Sequence, residues 1–183
     1  ANLRLVLTVE SLFLLAFGLH PILKEAATVR KLAGEGVGYD FRIQVWRGTL
    51  ALIADHPLWG TGPGTYLSSF PLYRPAGLDY QIDYAHNDYL QVAAEMGLPA
   101  LAALLGLIGT ALWVGTRTFL RTHSSFKGGL ALGATGGIAA LAVHSVVDFG
   151  LQVPANALLF AVLVGMVARC GLRIPGGPGP ATP

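Results

Sequence analysis

Leu98 to Thr116 reads LPALAALLGLIGTALWVGT, 19 consecutive residues without a charge. About 20 mostly apolar residues suffice for a helix to cross the hydrocarbon core of a bilayer, where the backbone must satisfy its own hydrogen bonds. This run therefore predicts a transmembrane helix, and its neighbours repeat the pattern. Downstream, Gly128–Val147 is Gly- and Ala-rich with His144 near its end, and Pro154–Ala168 is short but uncharged. Upstream, Leu3–Leu23 is apolar apart from Glu10 and His20. A signal peptide is the rival reading of that first run, but Glu10 interrupts its apolar region and no initiator Met opens the chain. The missing Met also suggests a piece of a longer protein. Composition agrees with membrane burial: of 183 residues, 53% are hydrophobic and 12% charged, against roughly 25% charged in a soluble domain. The predicted fold is an all-α integral membrane protein of about four transmembrane helices, with a large loop outside the membrane carrying short amphipathic helices.

The same numbers exclude other classes. A net charge of +2 without a basic stripe interleaved with aromatics argues against nucleic acid as a partner. One cysteine, Cys170, permits no internal disulfide and no Cys-based zinc site. The basic residues orient the spans. Arg117, Arg121 and Lys127 predict a cytoplasmic loop between spans two and three, and Arg169 and Arg173 a cytoplasmic C-terminus. The connection Val147–Pro154 then faces outside, as does the segment Lys24–Gly97, although Lys24, Arg30 and Lys31 pull mildly the other way. The chain thus divides into a transmembrane helix at 1–23, an outer loop at 24–97, three transmembrane helices at 98–170 and a disordered, Gly/Pro-rich tail at 171–183.

Within the outer loop, Phe41, Val45, Trp46, Leu50 and Ile53 recur near a helical period, which predicts a helix over 41–54 lying on the membrane surface. Gly60, Gly62, Pro63 and Gly64 require a loop. A P-loop is excluded, since Thr65 and Tyr66 follow Gly64 where Lys and Ser/Thr are needed. Two readings of the glycines stay open: a tight turn approaching another element closely, or exposed amides lining a site for an anionic substrate. A helical pattern resumes over Asp83–Met96 and leads through Gly97 and Pro99 into the Leu98 span.

The stretch AHNDYLQVAAE carries the most chemistry. Asn87, Gln91 and Glu95 stand four apart and share a helix face. His86 sits at or just before the first turn, where the positive end of the helix dipole disfavours imidazolium and leaves a base. Free amides there would also welcome a phosphate. The alternative is plain capping by Asn87 or Asp88 with His86 merely exposed. Arg42 and Trp46, four apart, form either an interfacial anchor or part of a diphosphate grip. Arg47 and Arg74 are further phosphate candidates or ordinary surface charges. His144 and Asp148, also four apart, are either functional or a structural pair closing the bundle. No H-E-x-x-H and no G-x-S-x-G occurs, and five scattered histidines define no metal site. Ser145 adjoins His144, poor geometry for an intramembrane serine protease dyad.

Three blocks, RIQVWRGTLALIADHPLWGTGPGTY (42–66), AHNDYLQVAAEMGLPA (85–100) and HSVVDFGLQVP (144–154), together resemble the O-antigen ligase and O-antigen polymerase superfamily, membrane glycosyltransferases of the C-type fold. The resemblance spans about Phe41 to Pro154, and its specificity lies in the three blocks occurring in order. It implies glycan transfer on the outer face of a bacterial inner membrane. The donor would be a glycan on undecaprenyl diphosphate, and the acceptor a hydroxyl of a glycolipid, a growing glycan or a protein. The family's catalytic histidine falls on His86 and its R-x-x-x-W arginine on Arg42. Trp46, Gly60, Gly62, Gly64, Arg74, Asn87 and Asp88 become substrate-binding candidates, with Arg47, Glu95, His144 and Asp148 behind them. The implied roles are His86 as general base and Arg42 stabilising the diphosphate leaving group, with no metal and no cofactor. Relative to the family, the chain lacks spans and an upstream phosphate-binding arginine, so it reads as a C-terminal part that is inactive alone. A solute transporter of the bicarbonate type is the alternative, along with a non-catalytic membrane protein. A transporter needs a midplane polar site, for which Glu10 is the one charged candidate.

Overall fold

The computed structural model describes residues 37–78 and 81–171, with side chains from Phe41 onward. The first predicted span, with Glu10 and His20, and the Gly/Pro-rich tail lie outside the described residues. Within them the chain is all-helical: α1 (Val37–Asp55), α2 (Tyr66–Ser69), α3 (Asp88–Arg121), α4 (Ser125–His144) and α5 (Pro154–Gly171), with short 3₁₀ turns at Phe70–Tyr73 and Gly150–Gln152. Three helices, α3, α4 and α5, are long and apolar enough to cross a membrane. They pack on one another as a three-helix bundle. Leu105, Leu107, Leu158, Leu159 and Val162 point away from it. Apolar side chains on the outside of a bundle suit hydrocarbon rather than water.

The bundle packs through small residues. Ala111, Ala131 and Ala134 are buried, and a methyl group at Gly115 would collide with the Thr135 hydroxyl. Such residues let two backbones approach closely, which matters where lipid is as apolar as the helices themselves. Thr135 returns its own hydroxyl to the Ala131 carbonyl at 2.6 Å, so no donor is stranded.

α3 is two helices that meet at a kink at Gly97, whose φ of 82° and ψ of 173° are not helical. The break frees carbonyls at Ala94 and Glu95. The Gly-rich loop satisfies them: Thr61 N donates to Ala94 O at 3.0 Å and Gly62 N to Glu95 O at 2.8 Å. On the other side, Leu98 N donates to Pro57 O at 2.8 Å. Pro99, lacking an amide hydrogen, sits in the first turn of the second half, where none is needed. Backbone passes so close to backbone that a methyl group at Gly60 would strike Glu95, and one at Gly97 would strike Leu58. Both glycines also have positive φ.

α1 lays one face on this joint. Val45, Thr49 and Leu52 are fully buried, while Arg47, Leu50 and Ala54 point out. Its core includes Tyr66, Phe70, Leu78, Ile82, Ala93 and Ala94, with Phe41 packed at the edge. The helix begins four residues before the predicted start, and Leu50, assigned to its apolar set, is 55% exposed. The buried polar stripe at Thr49 bonds inward instead: its hydroxyl lies 2.8 Å from Val45 O and 2.6 Å from the Tyr66 hydroxyl.

Candidate functional site

The predicted helix over 83–96 starts later, at Asp88, because Asn87 caps it: the Asn87 side chain accepts from Leu90 N at 3.0 Å. Residues 81–85 have no regular secondary structure. Between this stretch and the cap stands His86, the one non-glycine residue among those described with positive φ, 52°. A left-handed backbone costs a residue with a Cβ on the order of 1–2 kcal/mol and persists only where its surroundings hold it.

Those surroundings are specific. On the N-terminal side, Trp46 Nε1 donates to Ala85 O at 2.9 Å, and Ala85 N donates to Gln91 Oε1 at 2.7 Å. On the C-terminal side, Asp88 N donates to the carbonyls of Ser145 (2.9 Å) and Asp148 (3.2 Å). Asn87 Nδ2 donates to Val146 O at 2.8 Å, Leu151 N to Asp88 Oδ2 at 2.9 Å, and the Tyr89 hydroxyl to Ala142 O at 2.7 Å. The turn bearing His86 is thus stitched to α1 on one side and to the α4–α5 connection on the other.

The ring of His86 is half-buried between two aromatics, edge-to-face with Phe41 at 5.8 Å and with Phe149 at 5.2 Å between centroids. Phe149 in turn stacks on Tyr84 at 4.6 Å. Burial lowers the pKa of His86 below the ordinary imidazole value, the Arg42 guanidinium lowers it further, and Asp148 opposes them. Arg42 and Asp148 thus both act on the His86 imidazole, and the net shift favours its neutral form.

Other predicted residues take different places. His144 and Asp148 meet at 3.4 Å, but α4 ends at His144 and the pair bridges a turn rather than a helix face. Their side chains are 54% and 38% exposed, so the pair is not buried. Asp148 Oδ1 also accepts from Phe149 N at 2.9 Å, fixing the residue that flanks His86. Gln91 Nε2 donates to Glu95 Oε1 at 2.9 Å, as their four-residue spacing anticipates. Glu95 then reaches the Gly-rich loop: Gly64 N donates to its Oε2 at 3.0 Å and Tyr66 N to its Oε1 at 3.1 Å. The loop's amides do hold an anionic group, but it is the chain's own carboxylate. With the backbone contacts at Gly60 and Gly62, this is the close-approach turn. Arg47 and Arg74 are exposed, whereas Arg42 is half-buried.

Sequence reasoning missed Phe149 and Tyr84. The only sequence signal for Phe149 was its place in the third block, beside Asp148. Tyr84 had none beyond adjacency to the His86 motif. Among the described residues no three His, Cys, Asp or Glu side chains come together as metal ligands.

The family model described as O-antigen ligase matches residues 2–105, more than half of the chain, and the chain belongs to that family. No curated protein matches it as a relative. At family level the activity is glycosyl transfer at a membrane. The matched residues include α1, the Gly-rich loop and the His86 turn.

Proposed function

We propose that this member of the O-antigen ligase family transfers a glycan from undecaprenyl diphosphate to an acceptor hydroxyl, on the periplasmic side of a bacterial inner membrane. His86 takes the proton of the acceptor hydroxyl as that oxygen attacks the anomeric carbon. The bond from the anomeric carbon to the diphosphate oxygen breaks, and the electron pair leaves with the lipid diphosphate. Arg42 stabilises the charge that develops there. The observation that carries this reading is the state of His86: strained, clamped from both sides, half-buried between rings, and held neutral beside a guanidinium. A residue kept in an unfavourable backbone conformation by so many contacts fits a positioned reactive group better than a cap. Arg42 serves both partners, keeping the base unprotonated and meeting the anionic leaving group. Tyr84 and Phe149 offer an aromatic wall on which a sugar ring could stack.

A diphosphate is already a good leaving group, so the reaction as drawn uses no metal. The test is transfer by the purified full-length protein from radiolabelled undecaprenyl-diphosphate glycan to glycolipid, glycan and protein acceptors, with EDTA present. Labelled product together with released undecaprenyl diphosphate supports the proposal. Consumption of no donor with any acceptor contradicts it, and uptake of a labelled solute by proteoliposomes would favour a transporter instead.

A further inference from the structure

At the end of the bundle opposite His86, the structure has a second feature that glycan transfer does not use. An open cavity of about 550 Å³ lies where the end of α3, the start of α4 and the end of α5 converge. Arg117, Arg121, His123 and Lys127 line it, with Trp113 at one edge and Gly171 at another. A smaller groove of about 320 Å³ adjoins it, sharing Trp113, Arg117 and Arg121 and adding Thr116 and Leu120. We propose that this cavity binds the phosphodiester headgroup of an anionic phospholipid, with an acyl chain along the Trp113–Leu120 groove.

Charge is the first argument. Arg117 and Arg121 stand four apart on one helix face, a spacing at which like charges repel. Lys127 converges on them from α4 and is half-buried. Among the described residues, no Asp or Glu occurs from Met96 to Val147 or from Phe149 to Gly171, so these segments bring no carboxylate to this end of the bundle. A basic excess at this end would follow from membrane orientation alone, but orientation asks only for charges near the surface, not for charges drawn into one cavity.

Preorganisation is the second. The Arg117 guanidinium sits over the Trp113 ring at 5.0 Å, a cation–π contact that holds the fork in place. Planar guanidinium groups match phosphate oxygens in pairs. The third argument separates lipid from a free anion. Trp113 and Leu120 are 60% and 45% exposed beside the cavity, at the end of the apolar run. A small anion has no use for that surface, whereas an acyl chain covers it. Basic pockets between transmembrane helices are a recurrent way of holding anionic headgroups.

Native mass spectrometry of the purified full-length protein tests this, with phosphatidylglycerol, phosphatidylcholine or inorganic phosphate added to the detergent. Wild type should retain one phosphatidylglycerol in preference to phosphatidylcholine, and inorganic phosphate should not displace it. Each neutralised base should weaken retention about fivefold, so the double variant Arg121→Gln/Lys127→Gln should lose about 25-fold. Should the double variant fail to insert, Arg121→Gln alone carries the test at about fivefold. Arg169→Gln, exposed but not lining the cavity, should bind as wild type. Unchanged binding by the cavity variant that is tested overturns the proposal. So does an equal loss in Arg169→Gln, which would mean diffuse surface charge. Displacement of the lipid by inorganic phosphate would assign the cavity to a free anion instead. None of these readings depends on transferase activity.

Discussion

His86 is a histidine in a glycine's backbone conformation, and its chemistry follows from what holds it there. Its neutral state rests on burial first and on Arg42 second, with Asp148 pulling the other way. The acid limb of the pH profile of kcat/KM should therefore lie below the ordinary imidazole value near 6.5. Arg42→Ala removes a charge that disfavours imidazolium, so in whatever activity remains the limb should move to higher pH. Asp148→Asn removes a charge that favours imidazolium, so its limb should move to lower pH. Opposite displacements are the expected result, and displacements of one sign in both variants would break the electrostatic account. Asp148 sits in an exposed pair, so Asp148→Asn should leave the melting temperature in detergent nearly unchanged; exposed pairs contribute about 0–1 kcal/mol. The four-residue spacing of His144 and Asp148 left two readings, a functional pair or a structural one closing the bundle. Helix α4 ends at His144, and the pair lies open.

Among the elements, the break at Gly97 organises the region around the site. It splits α3 into a short helix carrying Asp88 to Met96 and a long apolar one, and the Gly-rich loop closes the gap between them. Glu95 is the hub, accepting from Gly64 N, Tyr66 N and Gln91 Nε2. All three are donors, so Glu95→Gln places an amide NH₂ against an N–H and should destabilise the fold by about 1–3 kcal/mol. A lower melting temperature for Glu95→Gln checks this, and unchanged melting would show that the network is not structural. Much of this level was legible in the sequence. The three apolar runs within the described residues became α3, α4 and α5, and Gly97 with Pro99 marked the passage into the span. The four-residue spacing of Gln91 and Glu95 anticipated their contact, whereas Asn87, placed on the same face by that spacing, precedes the helix and caps it. What the sequence did not reveal were partners distant along the chain. Nothing in local pattern says that Glu95 fills the glycine amides, that Trp46 bonds to Ala85, or that Phe149 reaches across from the α4–α5 turn to the ring of His86. Those contacts are decided by tertiary packing, to which periodicity and capping rules are blind.

Across the whole molecule, the His86 turn and the basic cavity sit at opposite ends of the bundle. From Gly97 to Arg121 the helix climbs about 36 Å at ~1.5 Å per residue, enough to separate two membrane faces. If the reaction is periplasmic, Ser68, exposed in α2, and Ser124, exposed between α3 and α4, lie on different sides. Single cysteines at these positions, in a Cys170→Ser background, should respectively react with and be protected from an impermeant maleimide in intact spheroplasts. The reverse labelling would invert the orientation. The most direct measurement of the central claim remains turnover of lipid-linked glycan by the full-length protein with His86 replaced. His86→Asn tolerates the left-handed backbone better than Ala and keeps a polar side chain, so its fold should survive. Loss of a positioned base typically costs about 10²–10⁴-fold. We predict that both His86→Asn and His86→Ala lose transfer by at least about 10²-fold, with His86→Asn melting as the wild type does. Wild-type turnover by a folded, membrane-inserted His86→Asn protein would contradict the assignment of His86 as the base.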